Sequence, residues 1–107
     1  MPGAIDPHVH FGLRSRGTVA ADDFANASVS AAMVGGVTTV IDYADHLAAS
    51  SLADSARARM EEIQGRSSVD WALHQNVTRV DPGLGRQLDE LAELGIGSIK
   101  CFTTYKE

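Results

Sequence analysis

Four short apolar segments recur at intervals of about thirty residues, and that spacing limits the fold more than any other feature of the chain. They cover 4–11, 37–44, 69–77 and 98–103. The second, Val37-Thr38-Thr39-Val40-Ile41-Asp42-Tyr43, is β-branched at nearly every position, as suits a strand covered on both faces. Helix patterns fill the gaps. Asp22 or Asp23 can cap a helix carrying Phe24, Ala27, Ala31 and Ala32, which Gly35-Gly36 closes. Ser51 caps the next, with Leu52, Ala56, Met60 and Ile63 on one face and Gly65 as its stop. Asp81-Pro82 opens a third with proline at the first helical position; Leu84, Leu88, Leu91 and Ala92 form its stripe, and Gly95 ends it.

The order β-α-β-α-β-α-β implies right-handed crossovers and a parallel α/β sheet. Four strands and three helices fit a small open sheet or about half of an eight-stranded barrel, whose usual length is about 250 residues. The chain has 107 residues with no linker or low-complexity stretch, so 1–107 reads as one domain without an internal boundary. Its net charge is −5 and its nine Lys/Arg are scattered, which predicts no nucleic-acid partner and no anionic membrane. A single cysteine, Cys101, rules out an internal disulfide and suits a reducing compartment. No apolar run approaches the ~20 residues of a membrane span, and no basic-then-apolar leader opens the chain, so a cytoplasmic location is expected.

Chemistry concentrates in Ile5-Asp6-Pro7-His8-Val9-His10-Phe11-Gly12. Read as a strand, this segment puts His8 and His10 on one face with Cα atoms roughly 6.6 Å apart, so both imidazoles can grip one metal at about 2.0–2.1 Å. A pair of edge-strand polar residues is the plainer reading. Asp6 falls on the same face; it can orient a histidine or bond backbone amides beside Pro7. The segment 12–21 follows this strand and is expected to border the site. Lys100 lies in the middle of the fourth apolar segment, where burying an ammonium is costly. Either it faces water on an edge strand, or it lies near metal cations as a neutral amine. A neutral amine can add carbon dioxide to give an anionic carbamate able to bridge two metals. Cys101 alternates away from Lys100 and is expected to pack against a helix. His74 reads as a packed, hydrogen-bonded histidine, and His46 as a solvated loop residue. Asp42 is either structural or near the site.

Met-Pro-Gly-Ala-Ile-Asp-Pro-His-Val-His-Phe, then Asp22-Asp23-Phe24, then Gly35-Gly36-Val37-Thr38-Thr39-Val40-Ile41-Asp42, then Gly95-Ile96-Gly97-Ser98-Ile99-Lys100-Cys101-Phe102 with Tyr105-Lys106 resembles the dihydropyrimidinase and D-hydantoinase branch of the amidohydrolase superfamily. The likeness runs over essentially the whole chain. It implies about half of a TIM-type (β/α)8 barrel, the amino-terminal part of a longer metal-dependent hydrolase. It implies His8 and His10 as ligands of the more buried of two divalent metals, usually zinc, and Lys100 as the carbamate bridging both. It implies Tyr105 as the phenol donating to the developing oxyanion, and Phe102 as a pocket residue, for which a core role is an equal alternative. The implied reaction is opening of a cyclic amide, a dihydropyrimidine or hydantoin, at its C–N bond, with a homo-oligomer, a tetramer, as the assembly. Dihydroorotase- or allantoinase-type hydrolysis, or a non-catalytic scaffold like the collapsin response mediator proteins, are the alternatives. The missing family ligands predict that the 107 residues alone are inactive.

Overall fold

The computed structural model describes residues 1–103, and the elements follow the expected alternation. In chain order they are β1 (Ala4–Asp6), β2 (Arg14–Ser15), β3 (Thr18–Val19), α1 (Phe24–Met33), β4 (Val37–Ala44), α2 (Leu52–Ile63), β5 (Asp70–Val77), α3 (Leu84–Glu93) and β6 (Ile99–Cys101). Strands β1, β4, β5 and β6 are parallel and hydrogen-bonded in that order, so successive helices connect neighbouring strands. This is the β-α repeat of a partial (β/α)8 barrel. Among the described residues, no helix is long and apolar enough to cross a membrane.

Two departures from the sequence expectations have local causes. The first strand stops at Asp6 instead of running on through the histidines. Pro7 has no N–H for the ladder, and the Asp6 carboxylate accepts the His8 N–H at 3.1 Å, turning the backbone. The chain nevertheless stays beside β4, because Val9 N–H donates to Ile41 O at 3.1 Å. The segment 12–21, outside the four strands read from the sequence, holds a hairpin: β2 and β3 pair antiparallel, with Arg14 opposite Val19. Arg16 and Gly17 turn this hairpin with φ of 50° and 79°. Positive φ at both central residues matches the right-handed strand twist, but arginine gives no sequence signal for such a turn.

Contacts gather into two compact units. The first comprises residues 1–42 and 62–72. Its apolar centre is built from Val9, Phe24, Ala27, Val40 and Ile63, all buried. Asp23 caps α1 by accepting the Asn26 N–H at 3.0 Å, which settles the choice between the two aspartates. Ser28 is fully buried because its hydroxyl donates to Phe24 O and accepts the Ser68 N–H. Gly3 is required by close approach: a Cβ there would lie 2.1 Å from Thr38 Oγ1.

The second unit comprises residues 43–61 and those from 73 onward. Leu52, Ala53, Ala56, Leu73, Leu91 and Ile96 form its core. Ser51 caps α2 as expected, its Oγ accepting the Asp54 N–H at 3.1 Å. Helix α3 starts at Leu84, later than the Asp81-Pro82 signal indicates. Gly83 takes the capping position at φ 92°, while Asp81 is drawn into an ion pair with Arg79 at 2.8 Å. Leu91 is buried and Leu84 and Leu88 half-buried, but Ala92 is exposed and does not belong to the stripe.

Candidate metal centre

In the first unit, Val9 is buried while His8 is exposed and His10 half-buried, so alternation persists beyond the end of the ladder. The valine acts as a peg that turns both imidazoles the other way. Their Nε2 atoms come within 3.2 Å, with ring centroids 5.1 Å apart and planes at 72°. Two nitrogens each about 2.0–2.1 Å from one tetrahedral ion are roughly 3.3 Å apart. The donor set and its spacing therefore fit a divalent cation. Among the described residues no group of three or more His, Cys, Asp or Glu side chains assembles around a possible ion.

Two carboxylates set the backbone of this motif. Asp6 bonds the His8 amide, so of its two possible roles it takes the one beside Pro7. Asp42 is 1% exposed, and its Oδ2 accepts the Phe11 N–H at 3.2 Å. It thereby clamps the chain just after His10. The sequence offered a signal here, an aspartate ending an apolar strand, without showing what it would hold. A cavity of about 310 Å³ in the same unit is lined by Asp6, Val9, Phe11, Asp22, Ala27 and Val40 among others. It lies on the valine side of the motif, and neither histidine lines it.

In the second unit, Lys100 is half-buried on β6, in register with Asn76 of β5. Its Nζ lies 4.4 Å from the centroid of the Tyr43 ring and 5.2 Å from that of Phe102. His74 packs against Tyr43 with ring centroids 5.1 Å apart, and its Nδ1 is hydrogen-bonded to Ser98 Oγ. His74 is thus the packed, bonded residue the sequence suggests. Phe102 is exposed at 37% and stands beside Lys100, so it is not a core residue in this unit. Cys101 is exposed, which corrects the expectation that it packs against a helix: it sits on the same side of β6 as exposed Ile99, the side opposite half-buried Lys100. Tyr105 lies outside the described residues.

His46 also departs from expectation. It is half-buried, and its Nδ1 accepts the Thr78 N–H at 3.3 Å, while the other ring nitrogen, Nε2, is buried with no hydrogen-bond partner among the described residues. Burial, reinforced by the Arg79 guanidinium, lowers its pKa from the usual 6.5, with Asp81 opposing. Thr78 and Arg79 follow β5 and meet the loop after β4, a convergence no local pattern announces.

Parallel β-α repeats in this order define a partial (β/α)8 barrel, with His8 and His10 paired just past its first strand. No protein-family profile matches the chain. It is, however, 35% identical over 107 residues to the dihydropyrimidinase of Dictyostelium discoideum, covering 99% of the chain and 21% of that protein. The D-hydantoinase of Ralstonia pickettii is 36% identical over 105 residues, with 98% and 23% covered. Among solved structures, a dihydropyrimidinase from Brevibacillus agri superposes with a TM-score of 0.91 at 31% identity, over 99% of this chain and 23% of that one. A D-hydantoinase crystal structure gives 0.90 at 32% identity, with the same coverage. The chain is homologous over its whole length to the dihydropyrimidinases and D-hydantoinases, and it spans about a fifth of the length of those curated relatives.

Proposed function

We propose that this chain carries part of the metal centre of a cyclic-amide hydrolase acting on dihydropyrimidines or hydantoins. The relatives' names supply the substrate class. The 3.2 Å convergence of His8 and His10 Nε2 carries the metal reading. His8 and His10 would hold a divalent ion, zinc first among candidates, and Lys100 as its carbamate would join two such ions. When bound, the metal supplies Lewis acidity that activates water and polarises the ring carbonyl.

The remaining steps belong to the chain's own groups. Asp6 and Asp42 bond the backbone on either side of the histidines, so the chain that carries both rings is fixed before any ion arrives. Tyr105 would donate its phenol proton in a hydrogen bond to the carbonyl oxygen as negative charge develops there. Phe102 would line the side-chain pocket next to Lys100. The assembly would be a cytoplasmic homo-oligomer, with the small cyclic amide as its ligand.

Zinc affinity measured by competition with a chromogenic chelator tests this reading. Loss of an outer-shell partner costs 10–100-fold in metal affinity, so His8→Ala and His10→Ala should each weaken zinc by roughly a hundredfold or more. Wild-type affinity no higher than that of the double variant would support the non-catalytic scaffold instead.

A further inference from the structure

This inference rests on the reading of Lys100 as the carbamate-forming lysine, and it concerns the side chain that faces it. Nζ of Lys100 lies 4.4 Å from the Tyr43 ring centroid, with the Phe102 ring 5.2 Å away on a second side. The Tyr43 ring is itself braced: His74 packs on it at 5.1 Å with planes tilted by 42°, and Ser98 Oγ pins His74 through Nδ1. An aromatic face is electron-rich; it attracts an ammonium ion and repels an anion. Carbamylation converts the first into the second. The braced ring is therefore complementary to Lys100 before modification and not after it.

We propose that Tyr43 is a positioning residue that holds unmodified Lys100 on its ring face, so that carbamate formation requires the lysine to leave the ring. In that step the ammonium gives one proton to solvent, and the freed lone pair forms an N–C bond to carbon dioxide. A C=O electron pair moves onto oxygen, and a second nitrogen proton passes to solvent. The product carries one negative charge, and no oxidant or reductant is consumed. Because only the reactant side gains from the ring, the contact raises the bicarbonate needed for half-modification by roughly two- to thirtyfold. A residue with a merely structural role would do the opposite, since loosening the fold around Lys100 would lower its modification.

The test uses the zinc-loaded protein and isotopically labelled bicarbonate, with carbamate on Lys100 read by NMR. Tyr43→Phe keeps the ring face and is the reference for the series. Placing progressively fluorinated phenylalanines at position 43 drains the ring face at nearly constant shape. The bicarbonate needed for half-modification should then fall stepwise, by roughly two- to thirtyfold in total. A flat series, or one that rises with fluorination, overturns the proposal. The contact itself is checked by ring-current displacement of the Lys100 side-chain methylene resonances. It should be present in wild type and Tyr43→Phe and lost in Tyr43→Leu. Absence of that displacement in wild type overturns the proposal and leaves the carbamate reading standing. Absence of label on Lys100 in every variant removes the carbamate reading, and this proposal with it.

Discussion

Asp42 is the residue on which the histidine motif most depends, although it is no ligand candidate itself. Its carboxylate is almost wholly buried and takes the Phe11 amide, one residue past His10. Asp42→Ala should leave that amide unpaired, costing about 1–3 kcal/mol of stability. It should also weaken zinc by roughly 10–100-fold by loosening His10, whereas Asp42→Asn keeps an acceptor and should retain most of both. Urea titrations with and without zinc would separate the two effects; unchanged zinc affinity in Asp42→Ala would refute the clamp. His46 gives a pH-dependent counterpart. Its pKa in the fold is lowered, first by burial and then by Arg79, so the unfolded chain binds more protons than the native one as pH drops below about 6.5. Its stabilising contribution is present above 6.5 and is lost as pH falls toward the lower native value. Substituting His46→Asn, with an amide oxygen able to replace Nδ1 as acceptor for Thr78, should flatten the decline in stability between pH 7 and 5. Parallel curves for variant and wild type would show that other groups govern it. At this scale the sequence revealed identities better than environments. His8 and His10 stand out by their spacing alone, whereas the burial of His46 depends on Thr78 and Arg79, more than thirty positions away along the chain.

Among the elements, β4 and the three helices are legible because their signals are local and mutually consistent. A β-branched run makes β4, and Ser51 starts α2 through a bond to a residue three positions on. The misjudged boundaries are places where a side chain takes a different local partner. Asp6 turns to its neighbour's amide and ends β1 early, and Asp81 pairs with Arg79 and leaves the start of α3 to Gly83. The cap of α1 offers a clean measurement. The Asp23 carboxylate accepts the Asn26 N–H in the first turn at 3.0 Å. Asp23→Ala should therefore cost about 0.5–2 kcal/mol, and Asp23→Ser much less. By contrast Asp22→Ala should change little on this account, since the cap does not use it. Equal losses at both positions in chemical denaturation would show that α1 starts in a different way.

At the scale of the sheet, β1 and β6 are its two edges among the described residues, and both carry exposed apolar side chains. Ile5 on β1 is 63% exposed and Ile99 on β6 is 47% exposed, with the Cys101 thiol exposed beside it. An edge strand presents unpaired N–H and C=O groups, and natural sheets protect such edges with charge, proline or a covering element. Here the one charge in β1, Asp6, is turned to the His8 amide beside Pro7, and the one charge in β6, Lys100, is held over the Tyr43 and Phe102 rings. The 107-residue chain should accordingly self-associate at micromolar concentration through strand addition. Sedimentation velocity with a reductant present, which removes any contribution from Cys101 cross-linking, would read this directly. Ile5→Lys and Ile99→Lys should each shift the distribution toward monomer, and the double variant further than either. Should wild type run as a single monomeric species under those conditions, the edges are protected by something other than their side chains. Should the two lysine variants associate as strongly as wild type, association proceeds through another surface, such as exposed Met33 and Val34 at the end of α1.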